Sequence, residues 1–290
     1  MRLAYALIVV AVFCGPLVFG THVAETVGTG IVDYGRVGPR FLVAGIAGAI
    51  AAVLVAYGAR IPTSMSLALV AGMLGALAAG PGFSAVHPAG LEKVAGAMIG
   101  SVVIGFSGGA AAFALLVLSL RSATRRTGDR IMRLQYESVA LQALGYGAND
   151  AEKMIGLIAI AVSIAYGRPF AVPLWIIAIA AGAFTIGMLL GGKRVAKTVG
   201  GKLFHIRPEH ALAFQLAAGV TVMLASLVGG PLSTTESTAS AIVGAGAVAN
   251  PRMVHWRLFG RFLIAWLFTV PAGFAAGALA SVLIVGFSRP

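Results

Sequence analysis

A short charged stretch interrupts an apolar segment between Gly147 and Gly156, where Asp150, Glu152 and Lys153 follow one another closely. A charged side chain at membrane depth costs about 2.5–3.5 kcal/mol, so such residues normally face a cavity or a partner on a substrate path. The two flanking glycines predict a break in the helix, and a broken helix exposes N–H and C=O groups that bind anions and cations. The alternative is a salt-bridged kink, with Asp150 paired to Lys153, that serves packing alone.

A second candidate site follows a proline, where residues 231–237 read P-L-S-T-T-E-S. Ser233, Thr234 and Thr235 offer three hydroxyls, and a helix that begins here would add backbone N–H groups, so the stretch predicts an oxyanion site. The alternative is an ordinary helix cap, a position that Ser and Thr favour. Glu236 would repel a bound anion unless it is protonated or holds a cation. We therefore expect it to couple proton or cation arrival to anion binding.

Oxygen-bearing residues beside these motifs predict a site for the coupling ion. Asn149 and Asp150 supply ligands for a hard cation such as Na⁺, or a titratable group for H⁺. Lys153 can neutralise Asp150 or the anion itself. His22 and Glu25, in a polar stretch at membrane depth, are weaker candidates for coupling, because a histidine at a helix end is more often a packing residue.

The sequence contains no metal-ligand spacing, nucleotide-binding loop or nucleophile–base pair. We therefore expect neither an enzyme nor a primary pump. No resident metal and no cofactor are expected beyond a co-transported H⁺ or Na⁺.

Composition places the chain in the lipid bilayer. Of its 290 residues, 59% are hydrophobic and 10% are charged, and the mean hydropathy is +0.96, which is typical of a polytopic helical membrane protein. Lys and Arg number 21 against nine acidic residues. Most basic residues lie in short segments, so the excess indicates topology and contact with anionic lipid rather than nucleic acid. Segments 121–135 and 191–207 each carry five of them and predict cytoplasmic loops.

An internal repeat relates the two halves of the chain. Residues 62–75 align with 231–244, and residues 20–28 align more weakly with 147–156. Ser64 and Ser66 of the first half thereby match the second hydroxyl stretch and join the expected anion site. A twofold repeat of broken helices is typical of secondary transporters, whose substrate binds where the repeats meet.

We therefore predict an all-α, inverted-repeat membrane bundle with two short re-entrant hairpins. The first half spans 1–120, the second spans 136–290, and 121–135 forms a basic cytoplasmic linker. The first half is expected to lack one span. The predicted membrane-crossing segments are 3–19, 41–57, 94–120, 172–190, 209–228 and 262–286.

Three stretches resemble the inorganic phosphate transporter (PiT) family: G-A-N-D at 147–150, G-G-K-R-V-A-K-T-V-G-G-K at 191–202, and P-L-S-T-T-E at 231–236. Asn149, Asp150, Ser233, Thr234 and Thr235 match the family's substrate and cation motifs. Lys153 completes an N-D-x-x-K pattern that is similar to the one in the family's bacterial low-affinity branch, which is generally proton-coupled.

Other positions depart from the family's pattern. Thr21 and His22 stand where it has Asn and Asp, and residues 64–67 read S-M-S-L. Glu236 replaces the family's usual histidine, a feature similar to its sulfate permease branch.

The resemblance implies a symporter of inorganic phosphate in the bacterial inner membrane, coupled to H⁺ or Na⁺ and commonly homodimeric. Phosphate near neutral pH can donate a hydrogen bond to a carboxylate, whereas sulfate only accepts, so phosphate is the first expectation and sulfate the second. The rival interpretation is a degenerate membrane subunit that binds a partner and does not transport. An ion channel is disfavoured by the charges at midplane.

Overall fold

The chain is all-helical in a computed structural model, which describes residues 2–59, 61–120 and 125–286, apart from the side chains of 2–5, 125–130 and 191–202. The described residues form α1 (Arg2–Phe19), α2 (His22–Glu25), α3 (Tyr34–Val37), α4 (Pro39–Gly58), α5 (Met65–Ala78), α6 (Pro88–Ser119), α7 (Arg125–Tyr146), α8 (Glu152–Tyr166), α9 (Leu174–Leu203), α10 (Pro208–Leu227), α11 (Thr234–Ala249) and α12 (Trp256–Gly286). A π-helical segment, Thr26–Gly30, follows α2, and a second one, Gly147–Ala151, joins α7 to α8. A 3₁₀ turn covers Pro251–Met253.

Local sequence explains where several helices begin and end. Pro39, Pro88 and Pro208 occupy the first position of α4, α6 and α10, where the missing N–H has no intrahelical partner in any case. At its other end, α8 stops at Gly167, whose φ of 60° is left-handed and therefore suits a residue without Cβ.

Among the described residues, four helices are long and apolar enough to cross a membrane: α4, α6, α10 and α12. A fifth crossing arises if α1 and the helical segment after it, which meet at a bend of 75°, count as one span. Large apolar side chains such as Val55, Ile99 and Leu267 remain exposed on these helices, as lipid-facing surfaces require. The prediction of an all-α, multi-pass membrane protein is therefore confirmed.

Two short helices, α5 with 14 residues and α11 with 16, occupy equivalent places in the two halves. At 1.5 Å per residue they reach roughly 21 and 24 Å, less than the ~30 Å of a bilayer core. They are the two hairpin helices that the repeat predicts, and their re-entrance into the membrane stays a prediction.

The short helices pack against both halves of the chain. α5 contacts α4 of its own half and α12 of the other, while α11 contacts α10 of its own half and α6 of the other. α1 packs against α7 across the same boundary. The halves are thus interlaced, and their boundaries at 1–120 and 136–290 stay predictions.

Two predicted loops are in fact helical. Residues 125–135 belong to α7, and residues 191–203 belong to α9, so the prediction of loop structure there was wrong. Lys and Arg are good helix formers, and positive charge marks the side of the membrane rather than the backbone conformation. The cytoplasmic location of both segments stays a prediction, and residues 121–124 and the side chains of the 191–202 motif lie outside the described residues.

The predicted break between Gly147 and Gly156 was also wrong. The chain stays helical from α7 through the π-helical segment into α8. The two glycines serve close packing instead, because a Cβ at Gly147 would meet the carbonyl of Val12, and one at Gly156 the carbonyl of Ala24. The break lies in the first half, at the bend after α1, where Gly20 has φ of 82°.

Candidate functional site

The N-termini of the two short helices meet at a pair of serines. Ser64 caps α5 by accepting a hydrogen bond from Leu67 N at 3.4 Å, and Ser233 caps α11 by accepting one from Glu236 N at 3.3 Å. The two hydroxyls also bond each other, with Ser64 Oγ donating to Ser233 Oγ at 3.0 Å. Both helices therefore direct first-turn N–H groups and the positive end of the helix dipole toward one buried region, the arrangement that binds anions.

A buried ion pair stands beside these helix ends. Lys153 Nζ lies 2.7 Å from Asp150 Oδ1, 2.7 Å from Ser66 Oγ and 2.6 Å from the Leu232 carbonyl oxygen. Thr234 Oγ1 donates to the other carboxylate oxygen of Asp150 at 2.5 Å. Lys153 and Asp150 thus join the two short helices, α5 and α11, to the π-helical segment Gly147–Ala151.

These residues form what we call the central cluster: Ser64, Ser66, Asp150, Lys153, Ser233 and Thr234. All six were singled out from the sequence, and all six are buried. The pairing of Asp150 with Lys153 agrees with the salt-bridge alternative. The same pair contacts both hydroxyl stretches, so its role is not confined to packing within one helix.

Glu236 lies in the first turn of α11 and is 3% exposed. Ser101 of α6 donates to its Oε2 at 2.9 Å, and its Oε1 meets no hydrogen-bond donor in the described part of the chain. A buried carboxylate with one unpartnered oxygen is costly. Such a group can take up a proton or receive a hydrogen bond from a ligand.

Asn149 is fully buried on the side facing the loop before α11. Its Nδ2 donates to Ser226 Oγ at 3.1 Å and to the Gly230 carbonyl at 3.0 Å. Its Oδ1 has no donor among the described residues, which leaves one oxygen for a ligand.

Of the remaining sequence candidates, Thr235 adjoins the cluster, and His22 and Glu25 stand apart from it. Thr235 is half-buried on α11 beside it, whereas His22 and Glu25 are exposed. The structure therefore gathers the second-half candidates with Ser64 and Ser66 and leaves His22 and Glu25 outside.

Glu152 has a role that the sequence did not indicate. This residue is 0% exposed, and its Oε2 accepts hydrogen bonds from Val23 N at 2.9 Å and Ala24 N at 3.3 Å. Those N–H groups lie in the first turn of α2, where the expected capping residue, Thr21, makes no side-chain cap. A carboxylate from the second half therefore satisfies the free helix end in the first. The sequence signal was an acidic residue in an apolar run, but its partner is 129 positions away.

An apolar groove of about 710 Å³ runs between α6 and α10 and reaches Gly230 and Leu232. Apart from Lys93 and Thr221, its lining side chains are apolar or absent. The groove lacks the donors that a phosphate-sized anion needs, so the central cluster is the candidate anion site.

Comparison with known proteins matches this architecture to one family. The phosphate transporter family signature matches residues 1–127 and again residues 120–277. The chain is 38% identical over 272 residues to a probable low-affinity inorganic phosphate transporter of Rhizobium meliloti, covering 92% of this chain and 81% of that protein. A Bacillus subtilis protein with the same description is 33% identical over 287 residues, covering 97% and 86%.

More distant relatives agree. The human sodium-dependent phosphate transporter 2 is 32% identical over 158 residues, which cover 53% of this chain and 24% of that protein. A solved structure described as the sodium-dependent phosphate transporter superposes with a TM-score of 0.87 at 20% identity, covering 99% of this chain and 90% of the other. At that identity the likeness establishes the fold.

Proposed function

Because the chain belongs to the phosphate transporter family, we propose that it carries inorganic phosphate across the bacterial inner membrane in symport with a cation, H⁺ or Na⁺. Like its relatives, it is a transporter and not an enzyme. The homodimer implied by the resemblance stays a prediction.

The observation that carries this proposal is the meeting of two capped helix ends beside a buried ammonium group. The Ser64–Ser233 hydrogen bond of 3.0 Å brings together two sets of N–H groups, and the Lys153 ammonium, which is paired with Asp150, lies beside them. Each of these features attracts an oxyanion. Ser64, Ser66, Asn149, Lys153, Ser233, Thr234 and Thr235 are the proposed substrate-binding residues.

Buried carboxylates favour phosphate over sulfate. Asp150 accepts a hydrogen bond from Thr234, and Glu236 follows Thr235 in the first turn of α11. A carboxylate oxygen can accept the hydrogen bond that a protonated phosphate oxygen donates. Sulfate offers no such donor near neutral pH and would face the carboxylates as a pure acceptor. Glu236 also suits coupling, because its protonation removes repulsion toward the anion.

The site also suits alternating access. Its residues come from both halves. Ser66 Oγ donates to the Leu232 carbonyl oxygen at 3.2 Å, and the two helix ends meet at the Ser64–Ser233 hydrogen bond. An anion that replaces this bond with contacts to both helix ends would hold the halves together. Its release to either side would let them separate.

Uptake into proteoliposomes tests the proposal. Purified protein is reconstituted, and labelled phosphate or sulfate is supplied with an inward H⁺ gradient, an inward Na⁺ gradient or neither; Ser233→Leu serves as the matched control. We expect phosphate to accumulate above sulfate under a cation gradient in the parent protein and not in the control. Preferential sulfate uptake would change the substrate assignment, and absence of uptake for both anions would support the non-transporting subunit.

A further inference from the structure

The Lys153 ammonium is surrounded by oxygen ligands as a bound metal cation would be. Its three closest partners are a carboxylate oxygen of Asp150, a hydroxyl oxygen of Ser66 and the carbonyl oxygen of Leu232, all within 2.6–2.7 Å. An ammonium has three N–H donors, so each donor has one oxygen. The side chain is 1% exposed, and its position is therefore fixed by the protein.

These three ligand types are those of a hard cation. Carboxylate, hydroxyl and main-chain carbonyl oxygens bind hard ions in proteins, and in transporters carbonyls of unwound backbone coordinate Na⁺. Leu232 lies in such a non-helical segment, just before α11. The ligands come from three separate elements, so whatever cation sits among them ties those elements together.

We infer that Lys153 is a tethered cation: its ammonium takes the place that Na⁺ would occupy among these oxygens, so this chain assembles its anion site without Na⁺. This inference deepens the proposed function and rests on it only for the identity of the anion. It predicts that removing the ammonium while keeping Asp150 converts the site into one that binds Na⁺.

Thermal unfolding in lipid nanodiscs tests the inference without any anion substrate. Unfolding midpoints are compared in sodium chloride and in N-methylglucamine chloride at equal ionic strength, because a ligand that binds only the folded state raises the midpoint. We expect Na⁺ to leave the parent protein unchanged and to raise the midpoint of Lys153→Ala. Lys93→Ala is the matched control, since Lys93 is an exposed lysine of α6 whose ammonium donates to Thr26; it should behave as the parent.

A second variant covers the case in which Lys153→Ala does not fold. Asp150→Asn with Lys153→Gln removes both charges together, which avoids a lone buried charge. Without the carboxylate this variant should fold and show no Na⁺ effect. Sodium stabilisation of the parent protein would overturn the inference, and so would a folded Lys153→Ala that is indifferent to Na⁺.

Phosphate binding separates this inference from the proposed function. Replacing Na⁺ by N-methylglucamine should change phosphate affinity less than about twofold in the parent and at least about fivefold in Lys153→Ala, the low end of ordinary coupling between two ligands. A parent that binds phosphate only with Na⁺ would refute the tethered cation and leave phosphate transport standing. A parent that binds no phosphate, with the Na⁺ pattern of unfolding intact, would refute the substrate assignment alone.

Discussion

The two hairpin helices begin in the same way and diverge within one turn. Ser64 and Ser233 are both N-caps, but the next three residues are Met-Ser-Leu in α5 and Thr-Thr-Glu in α11. The shared feature, two capped helix ends, is what an anion needs. The differing feature, a carboxylate present on one side only, is what coupling needs. Sequence degeneracy in the first half therefore does not by itself remove the proposed anion site.

The regions around Gly20 and Gly147 show the same division. In the register that places Thr21 and His22 opposite Asn149 and Asp150, Glu25 stands opposite Lys153, so the Asp150–Lys153 pair belongs to the second half alone. In the first half the helix turns sharply, and Glu152 of the second half satisfies its free N–H groups. The halves are complementary rather than equivalent, with the second supplying charge and the first supplying the break.

The largest expected effect concerns one acidic residue from each of these regions, the buried Glu152 and the exposed Glu25. Glu152→Ala leaves two buried N–H groups without an acceptor, and because each costs about 1–3 kcal/mol, we expect a loss of about 3 kcal/mol in the free energy of unfolding. Glu25→Ala changes an exposed residue and should stay within about 0.5 kcal/mol. Denaturant unfolding in mild detergent measures both. Equal losses of unfolding free energy in the two variants would show that Glu152 does not stabilise the helix end in the first half.

Glu236 corresponds to Leu67 in the aligned repeat and is the proposed coupling group. Proton uptake on Glu236 favours anion binding, so phosphate affinity in the parent should fall as pH rises, by about tenfold if the coupling is of ordinary size. Glu236→Gln should keep binding but lose this dependence and proton-driven accumulation. Phosphate binding across pH and uptake under a pH gradient test both effects, with Glu209→Gln on α10 as a control. Accumulation by the variant equal to that of the parent would show that Glu236 is not the coupling group.

The capping serines should contribute alike if the anion site is shared between halves. Each hydroxyl is a proposed hydrogen-bond partner of the anion, and one hydrogen bond contributes about 1 kcal/mol, so Ser64→Ala and Ser233→Ala should each weaken phosphate affinity about fivefold. Because the hydroxyls bond each other, the double variant should lose less than the sum of the two. Equilibrium phosphate binding to the parent, the two single variants and the double variant completes a double-mutant cycle. A strong effect of Ser233 with none of Ser64 would confine the site to the second half.

The smallest expected effect belongs to His22 and Glu25. Both are exposed and outside the central cluster, so we expect His22→Gln and Glu25→Gln to change phosphate uptake by less than about twofold, in line with substitutions away from buried networks. Uptake under matched H⁺ gradients measures this. A larger loss would return the first half to a direct role in coupling.

The sequence predicted those parts of the site that depend on residue type and local position. Charges in an apolar run, and hydroxyls after a proline in matched copies, named the residues that the structure brings together in the central cluster. Their role in binding an anion stays a prediction. It could not predict that Gly147 and Gly156 permit close helix packing rather than a break, because a glycine supports either. Nor could it assign a partner to Glu152 or see Ser101 beneath Glu236, since those contacts depend on how distant helices cross. The basic segments predicted the side of the membrane, but their charge did not determine the backbone conformation, which is helical at 125–135 and 191–203.

The interlacing of the short helices has a consequence for biogenesis. α5 packs against α12, which lies C-terminal to every other described helix, while α11 packs against α6 of the first half. During synthesis α5 therefore leaves the ribosome long before α12 has been translated. Until then, the face of α5 that packs against α12 has no partner. Contacts between residues so distant in sequence form late and slowly. Truncation within α12 would thus leave a helix from the N-terminal half unsupported, and quality control should remove such chains although every residue of the central cluster is present.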